Sequence, residues 1–257
     1  MNRNLSLFLL WLLLAACSPA TAELTPPSDP LLVAAASDLQ FAFGEIGPRF
    51  EEATGHSVTF TFGSTGNLTA QIENGAPYDI LAAANVAYVE RLNEQGLIEP
   101  GTQQQYAQGR LVLVVNRQSG LQATRLESLG DTAVRRVAIA NPDHAPYGAA
   151  AQQALQRAGV WDAVREKLVL GENVSQTLQF VQTGDAQAGL VALSIAEVPE
   201  VTGTLIPDNL HDPINQALAI IKGTPREAAA RAFIEFVNSP EGRAIMEQYG
   251  FLLPGAF

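Results

Sequence analysis

Eight short apolar runs recur along the chain, and most are separated by segments with helical spacing. The runs lie at residues 31–36, 57–62, 79–84, 110–116, 135–140, 167–171, 188–193 and 216–223. Helical spacing is found at residues 38–53, 67–74, 86–95, 148–159, 175–183, 225–238 and 240–248. Short strands that alternate with helices in this way predict an α/β fold with mainly parallel sheets.

The elements form two α/β blocks followed by a short helical segment. That last segment, from about residue 218, is too small to fold alone, so we expect it to return to the first block. The sequence therefore predicts two lobes that are joined by two crossing segments, near residues 110–113 and near residues 215–218. The first lobe comprises residues 31–110 with 218–257, and the second comprises residues 111–217.

The beginning of the chain has the composition of an export signal. Arg3 precedes a 12-residue segment, residues 5–16, which is apolar apart from Ser6. A segment of that length is too short to span a bilayer, but it is typical of a signal peptide. We therefore interpret residues 1–16 as a signal peptide.

The motif "LAAC" ends at Cys17, the only cysteine of the chain, and resembles a bacterial lipobox. It predicts that Cys17 becomes a lipidated N-terminus and that the proline-rich residues 17–30 form a flexible tether. The protein would then be exported, periplasmic or on the cell surface, with its lipid in the membrane. The alternative is an ordinary secretory signal that is cleaved after Ala20 or Ala22.

The charge balance limits the possible partners. The 257 residues carry a formal net charge of −11 at pH 7. Nucleic acid is not expected as a partner, because phosphate binding requires a basic face. A small anion remains possible if the site itself supplies hydrogen-bond donors.

Four predicted strand-to-helix junctions are rich in small residues and hydroxyl groups. A helix N-terminus has free N–H groups and a partial positive charge, so it can bind an anion without a cationic side chain. In open α/β sheets, ligands bind at the carboxyl ends of the strands. The junctions are "AAASDL" with Ser37, "FGSTGNL" with Ser64 and Thr65, "NPDHAPYGAA" with Tyr147 and "GENVSQTL" with Val174.

Other chemistry finds little support in the motifs. The "GSTG" segment lacks the Gly-Lys-Ser/Thr of a P-loop, and Ser37 lacks the GxSxG elbow of a hydrolase. The three histidines, His56, His144 and His211, have no metal-ligand spacing. No cofactor, directly bound metal or enzymatic activity is therefore expected.

Taken together, these motifs resemble those of the periplasmic molybdate-binding proteins of ABC importers. The match extends over most of residues 31–253, and its most specific part is "GSTGNLTAQIENGAPYDILAAAN" at residues 63–85. The resemblance implies a two-lobed, type II periplasmic-binding-protein fold with a two-segment hinge. It also implies a monomer that carries molybdate or tungstate in its cleft and delivers it to an ABC permease. Molybdenum would be present only as the oxyanion, without direct protein ligands.

The resemblance also implies the residues of the site. Ser37 would donate through its hydroxyl and N–H groups, and Thr65 through its hydroxyl group, with the neighbouring Ser64 as the alternative. Tyr147 and Val174 would donate backbone N–H groups. Some family members add a tyrosine hydroxyl at the position of Ala192, so that donor is missing here. A swing of the Tyr147 hydroxyl is one possible replacement.

Two alternatives to molybdate and tungstate stay open at this stage. Phosphate carries a proton and needs an acceptor, which Asp38 would supply if its carboxylate faced the anion. Sulfate is smaller than molybdate, so only the radius of the cleft would exclude it. The second alternative is an exported serine hydrolase that uses Ser37 or Ser64 as nucleophile. Its base would have to be His144, which the sequence does not orient.

Overall fold

The computed structural model describes residues 29–257. The predicted signal peptide, Cys17 and nearly all of the tether lie outside the described residues. No helix within residues 29–257 is both long enough and apolar enough to cross a membrane.

Ten strands and eight α-helices make up the part of the chain that the structure describes. The strands are β1 Leu31–Ala36, β2 Val58–Gly63, β3 Ile80–Ala83, β4 Gln104–Gly109, β5 Leu111–Asn116, β6 Val137–Ala140, β7 Leu168–Gly171, β8 Ala188–Ala192, β9 Val201–Leu205 and β10 Ile214–Ile220. The α-helices are α1 Gln40–Thr54, α2 Thr65–Glu73, α3 Val86–Glu94, α4 Pro146–Arg157, α5 Trp161–Val164, α6 Val174–Gln182, α7 Glu227–Asn238 and α8 Pro240–Gln248.

The strands form two five-stranded sheets with the same pattern. The first sheet has the order β2-β1-β3-β10-β4 and the second has the order β7-β6-β8-β5-β9. Four strands of each sheet run in one direction, while β10 and β5 run in the opposite direction between two of them. The α/β prediction is confirmed, but the sheets are mixed, because each reversed strand makes two antiparallel pairings.

The chain crosses between the sheets twice. β4 and β5 are separated only by Arg110, whose Nε donates to the carbonyl oxygen of Gly250 at 2.9 Å. The second crossing lies between β9 and β10, at residues 206–213. Residues 214–217 belong to β10 and hence to the first sheet, although the sequence prediction placed them in the second lobe.

The C-terminal helices pack on the first sheet. Phe233 of α7 makes edge contacts with Phe43 and Phe50 of α1, at ring-centroid distances of 5.6 and 5.2 Å. The buried carboxylate of Asp79, just before β3, accepts hydrogen bonds from Leu32 N–H and from Arg226 Nε at 2.6 and 2.7 Å. The end of the chain is thus tied to the block formed by its beginning.

Candidate functional site

A small cavity lies between the two sheets, at the carboxyl ends of β1, β2, β6 and β7. All five residues singled out from the sequence line it: Ser37, Ser64, Thr65, Tyr147 and Val174. Its free space in this structure is small, roughly that of one water molecule. The structure therefore brings the predicted residues together around a space suited to a compact group.

Small buried side chains allow the backbone to approach this cavity. Ala34 and Ala35 at the end of β1 are fully buried, and Ala36 lines the cavity beside Ser37. A single 3₁₀ turn at residues 37–39 then leads directly into α1. This local structure explains why an apolar strand ends in alanines and a serine, since a larger side chain would fill the space.

The four polar junctions present helix N-termini to the cavity. Thr65 and Val174 are the first residues of α2 and α6, and Tyr147 is the second residue of α4. Ser37 begins the turn that precedes α1. N–H groups in the first turn of a helix have no partner within the helix, so they are free to bind an acceptor.

The two neighbouring hydroxyl groups of the second junction have different partners. Ser64 Oγ caps α2 by accepting from Asn67 N–H at 3.4 Å, and it lies 2.8 Å from His144 Nδ1. Thr65 Oγ1 accepts from Ala84 N–H at 3.0 Å. The Thr65 hydroxyl proton has no acceptor among residues 29–257, which favours Thr65 over Ser64 as a donor to a ligand.

The cavity lining contains no lysine or arginine among the described residues, and Asp38 is its only carboxylate. Asp38 is fully buried, and Gln216 Nε2 donates to its Oδ2 at 2.5 Å. Burial raises the pKa of Asp38 from 3.8 to about 6, although the hydrogen bonds from Gln216 and Tyr147 act in the opposite direction. The electrostatics of the site therefore come from neutral donors and one buried acid.

Two buried tyrosines complete the surroundings of Asp38. Tyr106 Oη donates to Gln216 Oε1 at 2.8 Å, and Gln216 Nε2 lies 3.3 Å from Tyr147 Oη. Burial, with the nearby charge of Asp38, raises the pKa of both tyrosines. The Tyr147 hydroxyl is thus engaged with Gln216 and Asp38, and a swing toward the anion would break these contacts.

Hydrogen bonds connect the two sides of the cavity. Gly66 N–H donates to the carbonyl oxygen of His144 at 2.9 Å. Ser175 Oγ donates to the carbonyl oxygen of Ser37 at 3.0 Å, and Ser194 Oγ donates to that of Asp38 at 2.7 Å. These contacts link loops from different sheets, so the structure has the two sides closed on each other.

His144 has the partners that a hydrolase would require, but with a different geometry. Its Nδ1 contacts Ser64 Oγ, while its Nε2 lies 3.7 Å from Glu172 Oε2, beyond hydrogen-bond distance. Ser37, the other predicted nucleophile, has no histidine partner among the described residues. Since Ser64 also caps α2, the Ser64–His144 contact acts as part of the connection between the two sides.

Several residues of the site were not identified from the sequence. Gln216 and Ser194 are isolated polar residues at apolar segments that no motif distinguishes, and Ser175 belongs to the "GENVSQTL" junction but was not singled out within it. Their functions depend on contacts across more than 100 residues of sequence. Asp38 was noted as a neighbour of Ser37, but its orientation became known only from the structure.

Two α/β sheets, two chain crossings and a small polar cavity between them define a two-lobed binding protein. The family model described as bacterial extracellular solute-binding protein matches residues 31–252. The chain belongs to this family.

Relatives of known name support this assignment. The molybdate-binding protein ModA of Rhodobacter capsulatus is 35% identical over 226 residues, which cover 86% of this chain and 88% of that protein. ModA of Azotobacter vinelandii is also 35% identical, with 93% of each chain covered. The solved structure of the Azotobacter vinelandii periplasmic molybdate-binding protein superposes with a TM-score of 0.82 at 34% identity, covering 87% of this chain and 99% of that one.

Proposed function

We propose that this protein is the extracytoplasmic substrate-binding component of a molybdate ABC importer and that it also binds tungstate. The observation that carries this proposal is the cavity lined by Ser37, Thr65, Tyr147 and Val174, in which neutral donors from both sides converge. Fully deprotonated tetrahedral dianions suit a site made of donors. The names of the two ModA relatives support molybdate as the anion.

Hydrogen bonds from neutral donors can supply the free energy that binding of a dianion requires. Burial of an unpaired dianion would cost tens of kcal/mol, so its oxygens must be surrounded by donors. A hydrogen bond to a charged group contributes roughly 1.5–3 kcal/mol. Five to seven such bonds reach the roughly 8–12 kcal/mol of micromolar to nanomolar binding, after the cost of closure.

The proposal includes how the protein works in transport. The anion binds between the open lobes, which close by a hinge motion at Arg110 and residues 206–213. A membrane permease then recognises the closed monomer. Lipidation of Cys17 would keep the protein at the membrane surface, and no cofactor takes part. Molybdenum stays within the oxyanion, since only its oxygens contact the protein.

Phosphate and sulfate are the alternative ligands. Phosphate would require Asp38 to remain a carboxylate and accept the phosphate proton. Sulfate is fully deprotonated like molybdate, so only the size of the cavity would distinguish the two anions.

An enzymatic function is a weaker proposal. The Ser64–His144 contact is the one observation that favours a hydrolase. Against it, Glu172 is too distant to orient His144, and Ser64 Oγ is already used as a helix cap. We therefore propose that the protein is a binding protein without catalytic activity. Turnover of a small ester that is lost in Ser64→Ala would contradict this conclusion.

Calorimetric titration of residues 18–257 with molybdate, tungstate, sulfate and phosphate tests the ligand. We expect tight binding of molybdate and tungstate and weak or absent binding of the other two anions. Tight binding of phosphate would overturn the assignment of the ligand. Equal binding of sulfate would show that the cavity does not select by size.

A further inference from the structure

Asp38 is the one carboxyl group in the described lining of the cavity, and one of its two oxygens has no hydrogen-bond partner. Gln216 donates to Oδ2 and the Tyr147 hydroxyl lies near the carboxyl group, but by geometry the fully buried Oδ1 has no hydrogen-bond partner among residues 29–257. A buried carboxylate oxygen without a partner is costly, so its presence requires an explanation. Because Asp38 follows Ser37 directly and lines the same cavity, a bound anion is a natural partner.

The groups that face Asp38 do not neutralise a negative charge. Gln216 of β10 and Ser194 of the turn at residues 193–195 are neutral. The titratable side chains around Asp38 are Tyr147 of α4 and Tyr106 of β4, and burial keeps both protonated. None of the residues described as hydrogen-bonding to Asp38 is a cation. A carboxylate and a dianion would therefore repel each other at close range.

We propose that Asp38 binds the oxyanion in its protonated form, with Oδ1–H donating a hydrogen bond to an anion oxygen. The proton is taken from solvent as the anion enters, and the anion itself remains fully deprotonated. The carboxyl group would thus supply a donor in place of the tyrosine hydroxyl that the resemblance to molybdate-binding proteins implies at the position of Ala192. This inference rests on the proposed function.

The position of Asp38 fits that replacement. Ala192 ends β8, and two residues later Ser194 Oγ donates to the Asp38 carbonyl oxygen at 2.7 Å. The end of β8 therefore lies against the turn that holds Asp38. The Gln216 amide binds Oδ2, which leaves Oδ1 as the oxygen that carries the proton.

The chemistry of Asp38 supports proton uptake in a useful pH range. Burial raises its pKa to about 6 even though the hydrogen bonds from Gln216 and Tyr147 lower it, and a neighbouring dianion raises it further. Below pH 6 the group is already protonated, so binding takes up little proton. Above pH 6 each molecule must gain a proton to bind, and affinity falls by up to tenfold for each further pH unit.

The direct test is a calorimetric titration of molybdate into residues 18–257, which contain every element that the structure describes. Titrations at pH 7.5 in buffers of different ionisation enthalpy give the number of protons taken up. We expect a value close to one, together with a dissociation constant that is nearly constant below pH 6 and rises above it. Binding without proton uptake and with the same affinity from pH 5.5 to 8.5 would overturn the inference.

Two variants assign the proton to Asp38. Asp38→Asn has a permanent N–H donor, so we expect it to bind molybdate without proton uptake and without pH dependence. Glu52→Gln makes the same chemical change at an exposed position of α1, and should keep the proton uptake of the wild-type protein. Proton uptake that persists in Asp38→Asn would show that another group is responsible, which contradicts the proposal.

The outcomes separate this inference from the proposed function. Molybdate binding without proton uptake leaves the proposed function in place and removes only the proton on Asp38. Absence of molybdate binding at every pH removes both. Tight phosphate binding that is lost in Asp38→Asn would show that the carboxylate accepts a proton from the ligand, and would also overturn the inference.

Discussion

Ser37 combines a free hydroxyl group with a backbone N–H group at the beginning of a helix. Its position could be predicted from the sequence, because a serine after an apolar strand is a local signal. The positions of Thr65 and Val174 could also be predicted, because each lies where a helix begins after an apolar strand. The role proposed for Asp38 could not be predicted, since it depends on Gln216, which is distant in the sequence, and on the side-chain orientation.

Removal of the Ser37 hydroxyl should weaken anion binding. Ser37→Ala removes one donor to a charged ligand, so we expect a loss of about 1.5–3 kcal/mol in binding free energy. Calorimetric titration with molybdate measures this loss. Ser128→Ala, in the second sheet's block and outside the cavity lining, is the matched control. An unchanged affinity in Ser37→Ala would show that this hydroxyl does not contact the ligand.

Burial of Asp38 should make the stability of the anion-free protein depend on pH. The native state, in which the pKa of Asp38 is about 6, keeps a proton that the unfolded chain releases near pH 3.8. The contribution of Asp38 to the free energy of unfolding is therefore complete below pH 3.8 and is lost as the pH rises to about 6. The loss in the free energy of unfolding is about 3 kcal/mol.

Denaturant unfolding from pH 4 to pH 7 measures this effect. The difference between wild type and Asp38→Asn should change by the predicted amount over that range, to the benefit of the variant at pH 7. Parallel pH profiles for the two proteins would contradict the buried, ionisable state of Asp38.

The second and third strand-to-helix junctions contact each other across the cavity. The start of α2 touches the loop before α4, where the N–H group of Gly66, the second residue of α2, donates to His144 O. A Cβ atom at Gly66 would lie 2.7 Å from that oxygen. Glycine is therefore required for the closed contact, although the residue itself does not line the cavity.

Gly66→Ala should impair closure without unfolding either sheet. We expect at least tenfold weaker molybdate binding, because the loops can no longer approach, and little change in melting temperature without the anion. Gly44→Ala, in the interior of α1 with open space around it, is the control and should keep full affinity. A Gly66→Ala protein that binds like the wild type would show that this contact is dispensable.

At the level of elements, the sequence indicates strands by their apolar runs, and two strands lack that signal. β4 has the sequence "QQYAQG", in which only Tyr106 and Ala107 are buried apolar residues, so the strand shows no apolar run. β9 lies at an edge of the second sheet, and three of its five residues, Thr202, Gly203 and Leu205, are exposed. Both strands flank a crossing between the sheets. Because their sequences are rich in polar or small residues, these two strands lack the apolar run by which the other strands were predicted.

The whole molecule depends on two crossings that the sequence predicts approximately. The first was expected near residues 110–113 and lies at Arg110. The second was expected near residues 215–218, but β10 begins at Ile214. The difference arises because the apolar run starts two residues after the strand, whose first residues Ile214 and Asn215 pair with β4.

An anion that joins the two lobes should stabilise the whole molecule. At a free molybdate concentration of 1,000 times the dissociation constant, the expected gain is about 4 kcal/mol, or roughly 8–16 °C in melting temperature. Thermal unfolding with and without the anion measures it. The same rise with sulfate and phosphate would show that the effect is one of ionic strength rather than of a specific site.

We propose that a tetrahedral oxyanion binds between Ser37, Thr65, Tyr147 and Val174 through neutral donors. Anomalous diffraction at the molybdenum edge, from crystals grown with molybdate, tests it most directly. We expect one strong peak in this cavity, with the oxygens of the anion in hydrogen-bond contact with these residues and with Asp38 Oδ1. A molybdenum peak elsewhere, or a peak with a cationic side chain as its partner, would contradict binding of the anion at this site.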